Sequence, residues 1–130
     1  MCKLFIEADS QLWKPNTRSI RIDGVVTSIR LEHFFWNMLE EIADRDDLSV
    51  GQLITRLYLE AMDADHDLGN FTSFLRVCCS RYLSLIADGQ LERDARLPLA
   101  TLDGKSMIEF EAENSKARHT EIDKRRRPTH

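Results

Sequence analysis

Arg18, Arg21 and Arg30 cluster in the stretch "RSIRIDGVVTSIRL", ahead of a series of acids. Guanidinium groups gathered on a small surface can hold phosphates or base edges, so anion recognition is the first chemistry these residues suggest. The charge distribution limits it. From Thr17 to Ile86 there are 7 Arg and Lys against 11 Asp and Glu, a balance of −4; from Glu111 to His130 there are 6 against 4, a balance of +2. A nucleic-acid binder usually shows a basic face. Here any such face must be small, local and doubled by symmetry.

Other residues that could do chemistry have plainer readings. The vicinal pair Cys78-Cys79 falls on the apolar side of a helical pattern, where cysteines serve as small core residues. "DADHDLG" resembles a calcium loop, but Gly69 stands one position late and no glutamate closes it. His33 and His66 have no partner at a ligand spacing. There is no Cys-x-x-Cys, G-x-S-x-G, phosphate loop or paired catalytic carboxylate set. The expectation is a protein that is not an enzyme, with no cofactor and no metal. The basic run at 124–127 is either a phosphate contact or a solubilising end.

The elements that position the arginines follow from the pattern. The chain has 130 residues, 42% hydrophobic and 31% charged, which suits one globular domain with tails. No apolar run reaches the roughly 18 residues of a membrane span. The first ten residues lack the apolar core of a signal peptide, and three cysteines make a poor disulfide framework, so a cytoplasmic protein is expected. Residues 1–17 read as an arm ending in a Pro-Asn turn.

Two alternating runs then flank Asp23-Gly24, the strongest short hairpin signal, because a type I′ turn needs positive φ at both central residues. Period 2 puts Ile20, Ile22, Val25, Thr27, Ile29 and Leu31 on one face, and Ser19, Arg21, Val26, Ser28 and Arg30 on the other. A first helix is expected from about Glu32 to Asp46, with Leu31, Phe35, Met38, Leu39 and Ile42 as its core stripe and Phe34 and Trp36 outside it. A second starts at Ser49, whose spacing to Gln52 makes a capping box; its stripe is Val50, Leu53, Ile54, Leu57 and Ala61. Asn70 or Thr72 caps a third, through Ile86. Residues 89–111 form an extension with a second, weaker hairpin on Asp103-Gly104, and 112–130 a charged, solvated tail. No internal repeat is apparent.

"TSIRLEHFFWNMLEEIADRDDLSVGQLITRLYLEAM" resembles a ribbon-helix-helix domain of the Arc/MetJ superfamily. "RSIRIDG" before it and "GNFTSFLRVCCSRYL" after it resemble a bacterial subfamily with a third helix. The resemblance implies a mainly α fold with a short β-ribbon, one strand from each protomer of a homodimer, set over interdigitated helices. It also implies a transcriptional regulator that lays its ribbon in the major groove of double-stranded DNA, with higher oligomers on DNA left open. Carried over by position, Val26, Ser28 and Arg30 face the bases. Ser49, Val50 and Gly51 clamp a phosphate at a helix N-terminus, with Arg18 and Arg21 as further phosphate contacts. Val26 departs from the usual polar residue and could meet only a thymine methyl. Gly51 could contact through its backbone alone.

The hairpin conflicts with a two-chain ribbon. If residues 18–22 also pair within each protomer, a dimer's sheet has four strands, roughly 14 Å across at about 4.8 Å per strand, against a groove about 12 Å wide. Either 18–22 peels away, or groove binding is lost. The alternative function is a protein–protein interaction module that uses the acidic helix surfaces and the 99–110 hairpin.

Overall fold

The computed structural model describes residues 2–94 and 97–126. Strand β1 (Pro15–Ile22) pairs antiparallel with β2 (Val25–Glu32), with Ile22 opposite Val25, Arg21 opposite Val26 and Ser19 opposite Ser28. The turn has the expected chemistry: φ is 49° at Asp23 and 81° at Gly24, the pair of positive values that a type I′ turn requires. Ile20, Ile22, Ile29 and Leu31 are buried, while Val25 and Thr27 share their parity but are exposed beside the turn. β1 begins within the segment expected to be an arm. Ahead of it lie a short helix α1 (Cys2–Ile6) and a 3-10 turn over Ser10–Trp13.

Helix α2 (His33–Arg45) and helix α3 (Val50–Asp63) pack beneath the hairpin. Between them Asp47 takes a left-handed φ of 55°, and the Leu48 amide bonds back to the Ala43 carbonyl at 2.9 Å, closing the end of α2. The capping box forms as expected: Ser49 Oγ accepts from the Gln52 amide at 3.1 Å, and Gln52 Oε1 accepts from the Ser49 amide at 2.9 Å. Met38, Leu39, Ile42, Leu53, Ile54 and Ala61 are buried. Trp36, expected outside the stripe, is fully buried because β1 covers it.

Helix α4 (Phe71–Ala87) follows, and its Leu75, Cys79 and Tyr82 complete the core. Asn70 precedes it without a side-chain capping bond. Burial pushes the Cys79 thiol up to about 12, with Cys78 adding to the effect, so that sulfur is inert as a nucleophile.

The C-terminal part corrects two expectations. No hairpin forms on Asp103-Gly104. Asp103 instead caps helix α5 (Gly104–Arg126), its carboxylate accepting from the Ser106 amide at 3.2 Å and the Ser106 hydroxyl at 2.8 Å. The stretch expected to be a solvated tail is helical through Arg126, and residues 127–130 lie outside the described residues. Ion pairs Arg81–Glu111 and Arg118–Asp88 link residues 30 apart in both cases, so α5 runs alongside α4 in the same direction. Beneath its first turns lies a cavity of about 440 Å³ lined by Leu39, Leu53, Leu57, Tyr82 and Met107.

The segment that leads to α5 is fastened by one buried side chain. Arg45 donates to the Leu97 carbonyl at 3.0 and 3.1 Å, to the Glu92 carbonyl at 3.1 Å and to the Tyr82 hydroxyl at 3.3 Å. The Tyr82 hydroxyl donates to Glu41 at 2.7 Å, and Arg93 pairs with the same carboxylate. Hydrogen bonds from Arg93 hold the Glu41 carboxyl below its ordinary range, as those from Arg76 do for Glu32.

Two outcomes follow from this packing. Leu39→Ala or Ile54→Ala should each cost about 2–5 kcal/mol through cavity formation, read as a lower melting temperature. A depressed carboxyl stabilises the fold while ionised, so the contributions of Glu32 and Glu41 are complete above about pH 4.3 and are lost as pH falls below it. Thermal melts from pH 7 to pH 3 should fall off on the acid side, and less steeply in Glu41→Gln.

Candidate nucleic-acid interface

The outer face of the hairpin carries Thr17, Ser19 and Arg21 from β1 and Val26, Ser28 and Arg30 from β2, all exposed. The register sets them in three cross-strand pairs: Thr17 with Arg30, Ser19 with Ser28, and Arg21 with Val26. Alternation alone produces this face, since the opposite parity is spent on Ile20, Ile22, Ile29 and Leu31. Thr17 was missed by sequence reasoning because β1 starts three residues earlier than the alternating run suggests.

Arg30 makes no ion pair or hydrogen bond among the described residues. The neighbouring acid Glu32 is held instead by Arg76, through two bonds of 3.0 Å. Arg21 reaches only the Gly24 carbonyl, at 3.5 Å. Arg18 differs. Its parity matches that of Ile20, and it turns toward α2, where its guanidinium lies 4.5 Å from the centre of the Trp36 ring and 3.1 Å from Glu40. The Trp36 indole N–H donates to the Asn16 carbonyl at 2.9 Å, and the His33 amide to the Lys14 carbonyl at 2.9 Å. On the α3 side, the Thr55 hydroxyl donates to the Arg21 carbonyl at 3.2 Å. β1 is thus stitched to both helices beneath it.

The start of α3 lies beside β1. Val50 and Gly51 are its first two residues, so their N–H groups have no partner within the helix. A Cβ at Gly51 would meet only Ser49 Oγ, at 3.9 Å, which leaves the approach open. Between β1 and this helix start is a recess of about 580 Å³, lined among others by Ser19, Arg21, Ser49, Gly51, Gln52 and Arg56. The structure therefore brings Arg21 and two of the three expected clamp residues to one place. Sequence reasoning missed Arg56; its i+4 spacing from Gln52 puts it on the same side of the helix as the cap.

The arginines divide sharply. Of the eight described ones before residue 95, Arg18, Arg76, Arg81 and Arg93 pair with carboxylates, and Arg45 is buried against carbonyls. Arg21, Arg30 and Arg56 have no carboxylate partner among the described residues, and all three belong to the outer face or the recess. The helix macrodipole adds partial positive charge at the start of α3. In a chain of net charge −4, Arg21, Arg30 and Arg56 are the exposed arginines before residue 95 that no carboxylate among the described residues compensates.

The family model described as "Ribbon-helix-helix domain" matches residues 15–83. No curated protein matches the chain. Among solved structures, an uncharacterized protein from Bordetella pertussis Tohama I is 48% identical, over 83% of this chain and 86% of that one, with a TM-score of 0.79.

Trp36→Phe should test how firmly β1 is held. It leaves the Asn16 carbonyl without its donor and should cost about 1–3 kcal/mol. Hydrogen exchange should show the loss first at amides of β1.

Proposed function

The chain belongs to the ribbon-helix-helix family, and on that footing we propose that it is a transcriptional regulator binding double-stranded DNA with the outer face of its hairpin. Proteins of this family generally dimerise and bind DNA, and a homodimer acting on a roughly palindromic operator is the form proposed here. The observation that carries the reading is the set of arginines left without carboxylates, Arg21, Arg30 and Arg56, beside an open helix start. An acidic protein that engages its other described arginines before residue 95 with carboxylates or carbonyls and leaves these three without carboxylates has a local surface suited to an anionic partner.

Each contact has a physical role. Arg30 can pair in bidentate fashion with guanine O6 and N7, Ser28 can exchange a hydrogen bond with either kind of base edge, and Val26 can pack on a thymine methyl. Val50 and Gly51 offer backbone N–H groups to a phosphate, with Ser49 fixing the helix start that aims them. Arg56 adds a guanidinium to the same recess. Arg18 is committed to Trp36 and Glu40, and its proposed role is to hold β1 rather than to touch phosphate. The interaction-module alternative loses one of its two surfaces, the 99–110 hairpin, since that segment is turn and helix; the acidic helix surfaces remain.

Two variants separate reading from folding. Arg30→Ala should cost about 1–3 kcal/mol of DNA binding per half-site and flatten preference at one position in each. Gly51→Glu should leave α3 intact or slightly more stable, because an acid suits the first turn, yet weaken binding to all sequences by repelling phosphate. Titrations of both against fragments upstream of the gene and against scrambled DNA, at two salt concentrations, measure this. If both variants bind as the parent does, the DNA-binding proposal is wrong.

A further inference from the structure

Arg56 serves two sites. Gln52, Thr55, Arg56 and Leu59 fall at the i, i+3, i+4, i+7 spacing of one helical stripe, and they line the recess beside β1. Leu53, Arg56, Leu57 and Glu60 fall at the same kind of spacing, turned slightly around the helix, and they line the cavity beneath α5. Arg56 belongs to both stripes, so one exposed guanidinium borders the recess and the cavity.

The cavity has the make-up of a ligand site. Its volume of about 440 Å³ lies in the range of small-molecule pockets. Four parts of one chain supply its walls: α2 through Leu39, α3 through Leu53 and Leu57, α4 through Tyr82, and the segment from Leu99 to Ile108. That last wall lies outside residues 15–83, the stretch that matches the family. Burial pushes the Cys78 thiol up, so this sulfur in the wall is uncharged. The charged groups of the lining are few and mostly engaged. Arg81 pairs with Glu111, and Asp46 accepts from the Leu99 and Ala100 amides. Arg56 has no carboxylate partner among the described residues, and Glu60 stands one turn further along α3.

We infer that this cavity binds a small organic carboxylate with an apolar body, whose carboxylate takes Arg56 from the recess and so lowers affinity for DNA. The inference rests on the DNA-binding reading above and adds its regulation. A guanidinium holds a carboxylate through two parallel N–H donors, while the leucine walls cover the apolar body. A monoanion fits better than a phosphate ester, because the greater charge of the ester would also be repelled by Glu60. With its charge matched in the cavity, Arg56 no longer serves a phosphate in the recess. Linkage makes the effect mutual, so bound DNA weakens the ligand by the same factor.

The test uses the full-length protein, with decanoate as the probe and decanamide as its uncharged counterpart. Calorimetry should show one saturable decanoate site per chain and weaker binding of decanamide. Met107→Trp, which fills the cavity from α5, should abolish the site while DNA binding persists. Arg56→Gln, a change at an exposed position, should bind the two probes alike. Decanoate should lower the parent's DNA affinity about fivefold or more and reduce its salt slope by about one unit per protomer, with no such effect on Arg56→Gln. Absence of saturable decanoate binding, or a DNA affinity that decanoate leaves unchanged, would overturn the inference and leave the DNA-binding reading standing. So would sedimentation showing that decanoate breaks the protein's oligomer, since the cavity would then be the seat of a second copy. If the parent binds no DNA with or without decanoate, the DNA-binding reading fails and the regulation with it, and calorimetry still decides the carboxylate site.

Discussion

The contact between β1 and Trp36 is the constraint on which the rest of the domain turns. Trp36 is the largest fully buried side chain, and the strand above it supplies a carbonyl for its indole N–H and the Arg18 guanidinium for its ring. Without β1, a tryptophan, Ile20 and Ile22 would lose their cover. Because the strand is needed to close the core, the hairpin is pinned over α2 and α3 and its outer face is aimed away from them.

A second anchoring point works at the opposite end of α2. Arg45 is almost fully buried, and an unpaired guanidinium there would be costly to desolvate. It is satisfied by carbonyls of the segment after α4 and by Tyr82, which in turn bonds Glu41. Asp46, the next residue, accepts from the Leu99 and Ala100 amides at 2.6 and 3.2 Å. The start of α5 is therefore located by α2 together with Leu99, Leu102 and Met107, which pack half-buried against the core, although no residue of α5 is fully buried.

These two anchors also account for the electrostatics. Arg18, Arg45, Arg76, Arg81 and Arg93 are used to join elements, and each is matched by a carboxylate or by carbonyls. Exposed ion pairs of this kind contribute little energy apiece, but they withdraw positive charge from the surfaces where they occur. Arg21, Arg30 and Arg56 join nothing. A negative net charge is thus compatible with exposed guanidinium groups that no carboxylate among the described residues compensates.

The sequence by itself determined the features set by short-range chemistry. Asp23-Gly24 with flanking alternation specified the hairpin and its register, and Ser49 with Gln52 specified the start of α3. The helical stripes named most of the core, and the resemblance named the family that residues 15–83 match. Two other features were decided by tertiary structure. Trp36 lies outside the expected stripe, and the extra residues of β1 back to Pro15 help bury it. Asp103-Gly104 is the same dipeptide as Asp23-Gly24, yet it opens a helix. An Asp-Gly pair serves equally as a turn or as a cap followed by a permissive first residue. At 23–24 the flanking strands have a core to cover. At 103–104 the Asp46 and Arg45 anchors deliver the chain alongside α4, where Arg81 and Asp88 await partners on a helix.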